Sequence, residues 1–410
     1  MDRRCRNAGP SAVTAEKNRR VLVLSTLWPN QASPRFGTFV ACSIEALTKE
    51  THWEPVVVNP IGLPPIAFGR YAATKEAAVS GTESGIEVHR PTFRLIPKVG
   101  GRFNPKLIAH AVMPLARRLH EERPFDMVDA QFFYPDAPAA MRIAQELRLP
   151  FSIKARGADI HYWGARNYGA EALREAADKA AGILSVSEAL ADDMAALGIA
   201  RGKISIHRTG LDRDRFRPLG HTQLRNRLGR ELGVSLSADD QLLATVGALI
   251  ERKGQALVIK ALADLPDARL LLVGKGEDEN SLRALANSEG VLDRVHFLGS
   301  VDHDLLPLIL SAADAMVLPS LSEGLANAWI EALACGTPVV ITDAGGAREV
   351  VDNPTSGVIV ARRTDAVREG IRLVLKNRRP PEEVAACVKD YSWKTNGEAL
   401  GAHYDRLIGS

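Results

Sequence analysis

The sequence predicts an α/β protein made of two doubly wound, mostly parallel sheets, and three observations lead there. Short apolar runs alternate with helical patterns. The runs are Arg20–Thr26 (RVLVLST), Pro55–Val58, Ile86–His89, Asp126–Ala130, Phe151–Ala155, Gly182–Val186 and Lys203–His207, and helical patterns such as 168–181 and 187–197 fall between several of them. That alternation is the pattern of parallel strands joined by crossover helices. It breaks once, at a polar stretch reaching Asp240, and resumes at Gln241–Gly247 (QLLATVG). Length agrees with two units, because 410 residues with 46% hydrophobic and 25% charged side chains can bury two cores of ordinary size.

Composition narrows the class. The four cysteines, Cys5, Cys42, Cys335 and Cys387, lie far apart without metal-ligand spacing, so neither a disulfide framework nor a zinc site is expected and a reducing cytoplasm is the default. No apolar run approaches the roughly 18 residues of a spanning helix, and the first twenty residues lack the apolar core of a signal peptide. Residues 1–18 are read as a disordered basic tail. Net charge is +3 but uneven, +6 through Ser205 and −3 beyond it. No nucleic-acid partner is expected.

In the first unit, the strand at Arg20–Thr26 leads into the loop TLWPNQASPRFGTFV and a helix from about Gly37, where a glycine lets backbone approach a ligand. No G-x-G-x-x-G follows that strand, which removes a nicotinamide dinucleotide fingerprint. Between His89 and His120 stand Arg90, Arg94, Lys98, Arg102, Lys106, Arg117 and Arg118 with no acidic residue. Prolines and glycines make this segment begin as a loop, and Leu107, Ile108, Val112, Leu115 and Leu119 form an apolar helical face from Pro105 onward. A solvated basic surface is one reading, and docking of residues 90–118 to anionic lipid or to a phosphate-bearing acceptor is the other. Arg156, Gly157 and Asp159 follow a strand end, where a ligand crevice is expected, and His161 stands two residues further on.

In the second unit, Lys253 falls in a short loop after the strand 241–247, at the carboxyl end of a sheet, where an ammonium can neutralise a diphosphate. Ala313–Leu318 then reads as a buried strand, Ser322-Glu323-Gly324 as a loop, and residues from about Ala326 to Cys335 as a helix stopped by Gly336-Thr337-Pro338. That helix N-terminus favours an anion such as a diphosphate. Asn327 and Glu331 share one helical face, and Trp329 and Leu333 lie on another. Were both helical, Glu323 and Glu331 would stand about 12 Å apart, a span suited to a nucleotide-sugar rather than to two carboxylates on one bond. Singly each glutamate reads as an exposed charge. Together with the turn and the helix they read as a site.

The string SEGLANAWIEALACGTPVV resembles the E-x7-E signature of glycosyltransferase family 4, retaining enzymes with the two-domain GT-B fold. The resemblance implies that Glu323 contacts the donor sugar, Glu331 the ribose, and the amides of Gly324, Leu325, Ala326 and Asn327 the diphosphate and sugar. It extends over nearly all of residues 20–405. The loop holding Gly37 looks like the family's first loop, facing the cleft. Arg208-Thr209-Gly210-Leu211-Asp212 with Phe216 and Pro218 resembles the hinge, with Thr209 where asparagine is usual. The segment opening at Gly247 resembles the G-R-x4-K-G element, with Lys253 kept, Ala248 at the arginine position and Arg252 as its substitute. RLLLVGKG, containing Gly274, resembles the strand and turn against the nucleotide. Gly345 and Gly346 open a helix and either approach the sugar or only make the turn. Where many members have His-Gly, this chain has Arg156-Gly157, which leaves acid/base chemistry unsupported there and suits phosphate or an acidic acceptor.

The expected organisation is an acceptor domain over 19–210, a linker over 211–236, a nucleotide-sugar domain over 237–390 and a crossover helix over 391–410. The expected activity is retaining, metal-independent transfer of a hexosyl-type sugar from a nucleotide-diphosphate-sugar, a co-substrate rather than a cofactor, to a glycan or lipid-linked acceptor. The setting is the cytoplasm or the inner face of a membrane, in polysaccharide or glycolipid synthesis. Catalytic candidates are Glu323, Lys253, Arg252 and Arg156, and Asp159 and His161 are cleft candidates. A nucleotide-sugar 2-epimerase and a non-catalytic nucleotide-sugar-binding protein are the alternatives.

Overall fold

Strands that are apolar on both faces need cover on both faces, and that requirement organises the molecule. The computed structural model describes residues 18–65, 70–96, 100–220, 224–234, 236–237, 240–302 and 304–409, so the expected tail lies almost wholly outside the described residues. In the first half the strands are β1 Arg19–Leu24, β2 Trp53–Val58, β3 Ile61–Leu63, β4 Gly81–Glu83, β5 Ile86–His89, β6 Thr92–Arg94, β7 Met127–Ala130, β8 Phe151–Ala155, β9 Gly182–Ser185 and β10 Ile204–Ile206. Eight of them form one sheet in the order β10-β9-β8-β7-β1-β2-β5-β4, parallel except for β4, and β3 pairs with β6 in a separate parallel ribbon. The second half supplies β11 Gln241–Val246, β12 Ala268–Val273, β13 Val295–Gly299, β14 Ala315–Leu318, β15 Val339–Thr342 and β16 Gly357–Val360, in the order β13-β12-β11-β14-β15-β16. In each sheet the strand order reverses beside the first strand of that half, at β1/β7 and at β11/β14. Open α/β sheets bind ligands in the crevice outside the carboxyl ends at such points.

The C-terminal helix Trp393–Ile408 crosses back and packs on the helix Thr38–Glu50 of the first half. Glycines make the approach possible, since a Cβ on Gly397 would lie 2.5 Å from the Ala46 backbone. Asn396 fixes the crossing by accepting from Ser43 Oγ at 2.6 Å and donating to the Arg208 carbonyl at 2.7 Å.

Two expectations change. The polar stretch expected to be linker contains the helix Leu224–Leu232, whose Leu224 and Leu228 are buried with Leu236, Leu242 and Ala244, so its second half belongs to the second core. The basic segment after His89 opens as β6 and a 3-10 turn at Gly100–Phe103 before the helix Asn104–Glu122. Arg90 is buried, paired with Glu83 at 2.6 Å and donating to the Val79 and Pro29 carbonyls, which removes it from any docking surface. Arg117 pairs with Glu146 and Arg118 with Glu122. Lys98 lies outside the described residues, and Arg94, Arg102 and Lys106 remain exposed.

Candidate active site

The chemistry-bearing loops follow β11 and β14. After β11 the chain makes a 3-10 turn, Glu251–Lys253, ended by Gly254 in the left-handed region at φ 74°. A Cβ on Gly254 would sit 2.3 Å from the Pro319 carbonyl oxygen, so only glycine lets this turn press against the end of β14. The contact delivers Lys253 Nζ to 2.5 Å from Glu323 Oε1 and the Arg252 guanidinium to 3.5 Å from Glu323 Oε2. Arg252 also donates to the Ser322 carbonyl. Two cations therefore share one carboxylate that is 9% exposed, and the surplus positive charge at two strand ends suits a diphosphate.

The glycines expected to line the donor have structural reasons of their own. A Cβ on Gly274 would lie 1.9 Å from the Gly247 oxygen, so these two turns close on each other. Gly37, at φ 76°, packs against the Leu27 backbone.

Glu331 projects from the helix Asn327–Ala334, with Trp329 and Leu333 buried beneath it as the periodicity predicts. With Asn327 it lines a cavity of about 510 Å³ whose other wall is the helix Thr38–Glu50 and the segment Thr209–Asp212. Burial alone pushes its carboxyl up to about 7. Glu323 lines a different cavity, of about 540 Å³, with Arg252, Arg156, His161, Tyr162 and Leu325.

Across the cleft, Arg156 donates through Nε to the Gln131 carbonyl at 2.8 Å and through Nη2 to Gln131 Oε1 at 2.5 Å, and its guanidinium lies 4.8 Å from the Phe39 ring centroid. Burial lowers its pKa to about 10, which leaves it cationic at neutral pH. Asp159 does not face the cleft. It is fully buried and accepts the amides of Phe133 at 2.8 Å, Arg156 at 3.0 Å and Gly157 at 2.8 Å, so it shapes the loop that holds Arg156. His161 reaches the cavity wall, with Nε2 at 2.9 Å from Asp193 Oδ2.

The two halves meet backbone to backbone. A Cβ on Gly157, at φ 113°, would lie 2.9 Å from the Gly324 nitrogen, and one on Gly324 would lie 2.5 Å from the Arg156 oxygen. The Gly324 amide, expected to face the donor, is thus covered by the first domain here. Ser187 Oγ donates to the Gly324 carbonyl at 3.1 Å, as does the Gly346 amide at 2.8 Å. Glu349 crosses the same boundary, accepting the Glu188 amide at 2.7 Å and pairing with Arg208 at 3.0 Å. Sequence reasoning passed over Ser187 and Glu349. The nearest signal was the pair Gly345-Gly346 just before Glu349. Among the described residues no three His, Cys, Asp or Glu side chains converge as a metal site.

Two parallel-sheet domains closing over a cationic, carboxylate-bearing cleft define a class of two-domain α/β transferases. Residues 233–390 match the family model described as glycosyl transferases group 1, and residues 44–210 match the glycosyl transferase 4-like domain. A Bacillus subtilis glycosyltransferase assigned to teichuronic acid biosynthesis, TuaC, is 26% identical over 359 residues, 86% of this chain and 88% of that one. The D-inositol 3-phosphate glycosyltransferase of Mycobacteroides abscessus is 34% identical over 214 residues, 50% of this chain and 47% of that one. In architecture the chain is similar to sucrose-phosphate synthase from Thermosynechococcus elongatus, with a TM-score of 0.76, 19% identity and coverage of 95% and 100%. It is also similar to Anabaena HepE in complex with UDP, with a TM-score of 0.71, 19% identity and the same coverage. The chain belongs to glycosyltransferase family 4, the group 1 glycosyl transferases, and has their GT-B fold.

Proposed function

We propose that this glycosyltransferase moves a hexosyl-type sugar, with retention and without a metal ion, from a nucleotide-diphosphate-sugar to a glycan or lipid-linked acceptor in polysaccharide or glycolipid synthesis. The observation that carries the reading is the cluster of Lys253, Arg252 and Glu323 at the carboxyl ends of β11 and β14. In the reaction, Lys253 and Arg252 neutralise the diphosphate as the anomeric bond to it breaks, and Glu323 holds a sugar hydroxyl. The departing diphosphate takes the proton of the acceptor hydroxyl as that oxygen bonds to the anomeric carbon on the face the diphosphate leaves. Glu331 accepts hydroxyls of the ribose. Arg156 stands on the acceptor side as a fixed cation. The donor class is supported by Anabaena HepE, which is similar in fold and was solved with UDP and with UDP-glucose.

The test is a thermal-shift screen of UDP-, GDP- and ADP-sugars, because a ligand of the folded state raises its stability by mass action. Product analysis follows, with a membrane extract as acceptor source, with and without chelator. Stabilisation by one donor and chelator-resistant transfer are expected. Donor turnover without acceptor would instead identify an epimerase, and binding without turnover a non-catalytic protein.

No helix among the described residues is long and apolar enough to cross a membrane. We place the enzyme in the cytoplasm, at times on an anionic membrane face through Arg94, Arg102 and Lys106, which stay exposed where Arg90 does not. Co-sedimentation with anionic but not neutral liposomes is expected, and absence of binding at low salt would remove this element.

A further inference from the structure

A third cavity, of about 330 Å³, opens in the first domain outside the carboxyl ends of β1 and β2. Thr26 and Asn59, just past those strands, form part of its wall with Asn104, Phe36, Phe93 and Pro135. Its position beside the β1/β7 reversal is where an open sheet receives a ligand. Its volume falls at the small end of the ~300–1,000 Å³ range of ligand pockets, enough for about one or two sugar units.

The chemistry of the wall is unlike the rest of the domain. Among the described residues no Lys, Arg, His, Asp or Glu lines it, although this half of the chain carries a net charge of +6. Two of the neighbouring charges are engaged elsewhere. Arg90 is held by Glu83 and the Pro29 and Val79 carbonyls, and Asp136 gives one oxygen to the Thr26 amide at 2.9 Å. What remains is acceptor-rich. Asn59, 1% exposed, donates Nδ2 to the Ser25 carbonyl at 2.8 Å and leaves Oδ1 without a partner among the described residues, as Asn104 Oδ1 is buried without one. Such a buried acceptor is unfavourable until a donor reaches it. Hydroxyl groups are donors. Phosphate and carboxylate oxygens at neutral pH would face these carbonyls with no cation to offset them. Phe36, 51% exposed, adds an apolar ring at the rim for the C–H face of a pyranose.

We propose that this cavity is a subsite for an uncharged sugar unit of the acceptor, its hydroxyls donating to Asn59 and Asn104 and its apolar face resting on Phe36. The proposal rests on the glycosyltransferase reading and narrows it, because it excludes phosphorylated and uronic-acid units from this position. The subsite adjoins the transfer site through one loop. Phe132 lines the Glu323 cavity and Pro135 lines this one, so a unit seated here places its neighbour toward the donor.

Saturation-transfer difference NMR on the full chain tests it, with millimolar methyl α-glucoside, α-mannoside and α-galactoside against glucose 6-phosphate and galacturonic acid. Saturation of at least one neutral glycoside is expected, with neither charged sugar saturated. Phe36→Ala, at an exposed position that leaves the core intact, and Asn104→Leu should each weaken binding about tenfold, the scale of one lost hydrogen bond or ring contact. Equal binding of charged sugars, no glycoside binding, or binding unchanged in both variants would overturn the proposal. The donor screen runs in parallel. If nucleotide-sugars stabilise the chain while no glycoside binds, only the subsite fails, and if glycosides bind while no nucleotide-sugar does, the transferase reading fails instead.

Discussion

Glu331→Gln separates the cost of a buried carboxylate from its use. In the folded chain burial raises the Glu331 carboxyl from its ordinary 4.5 to about 7, with no cation among the described residues set against it. A carboxyl whose folded pKa is raised binds its proton more tightly folded than unfolded. Above about pH 7 the folded state therefore holds a charge that the unfolded chain holds more cheaply. The penalty shrinks as pH falls toward 4.5 and vanishes below it, where both states are protonated. The full difference corresponds to about 3 kcal/mol, and because the carboxylate borders an open cavity we take about 1–3 kcal/mol at pH 8. Glutamine carries no such penalty. At about 2–4 °C per kcal/mol for a domain of this size, the variant should melt roughly 2–12 °C higher at pH 8, with less than half that gain at pH 5.5. Scanning calorimetry at the two pH values measures it. Nucleotide-sugar binding should move oppositely, since ribose hydroxyls donate to the charged form. Wild-type affinity rises as pH passes through about 7, and the variant binds more weakly with a flat profile. A variant no more stable at pH 8, or a gain independent of pH, would refute the buried-charge argument. Unchanged nucleotide binding would refute the ribose assignment.

Three further substitutions probe the cluster and the closure. Lys253→Ala leaves Glu323 with Arg252 alone and should lower turnover by about 10²–10³, as loss of one donor to a developing anion does; turnover close to wild type would exclude Lys253 from leaving-group stabilisation. Gly324→Ala places a Cβ 2.5 Å from the Arg156 oxygen, so small-angle scattering with donor should show a more open molecule that binds nucleotide and transfers poorly, and an unchanged envelope would contradict this. Glu349→Ala removes the cap on the Glu188 amide and the Arg208 pair; turnover should fall with donor affinity kept, whereas loss of both would mark Glu349 as a fold residue only.

Much of the architecture is legible in the chain because parallel strands buried on both faces leave unbroken apolar runs. Ile86–His89 and Phe151–Ala155 are found as read, and the Glu331 helix begins within a residue of its expected start. The three-residue strands β3 and β6 are too short for periodicity to register. The helix Leu224–Leu232 hides in a polar stretch because only Leu224 and Leu228 are buried along it. The basic segment is only partly legible, for a different reason. The acids that neutralise Arg90 and Arg117, Glu83 and Glu146, stand outside the 90–118 window, so a count within it overstates a patch of which Arg94, Arg102 and Lys106 stay exposed. Asp159 was assigned to the cleft by proximity to Arg156, but its carboxylate turns inward to three amides, a role that spacing alone does not distinguish. Ser187 caps its own helix by accepting the Leu190 amide, which its position records, but its bond to Gly324 and the contacts of Glu349 run between the domains, where no local pattern records a partner.

Those two residues change how the E-x7-E segment works. Gly324 joins Glu323 to the rest of the donor loop, and its carbonyl accepts from both Gly346 in its own domain and Ser187 in the other. Its nitrogen lies against Gly157, next to the Arg156 that faces Glu323 across one cavity. The loop carrying Glu323 is thus shaped partly by the first domain, and separating the domains frees the Gly324 carbonyl and amide together. Glu331 is different. It stands inside a helix whose Trp329 and Ile330 are fixed in the second domain's core, so its backbone position does not depend on closure. On the proposed roles, nucleotide binding through Glu331 would precede closure, and the sugar-holding geometry at Glu323 would be completed when Gly157 and Gly324 meet. A side chain at either glycine would hold the domains apart, which gives the sequence a physical reason to have none at that contact.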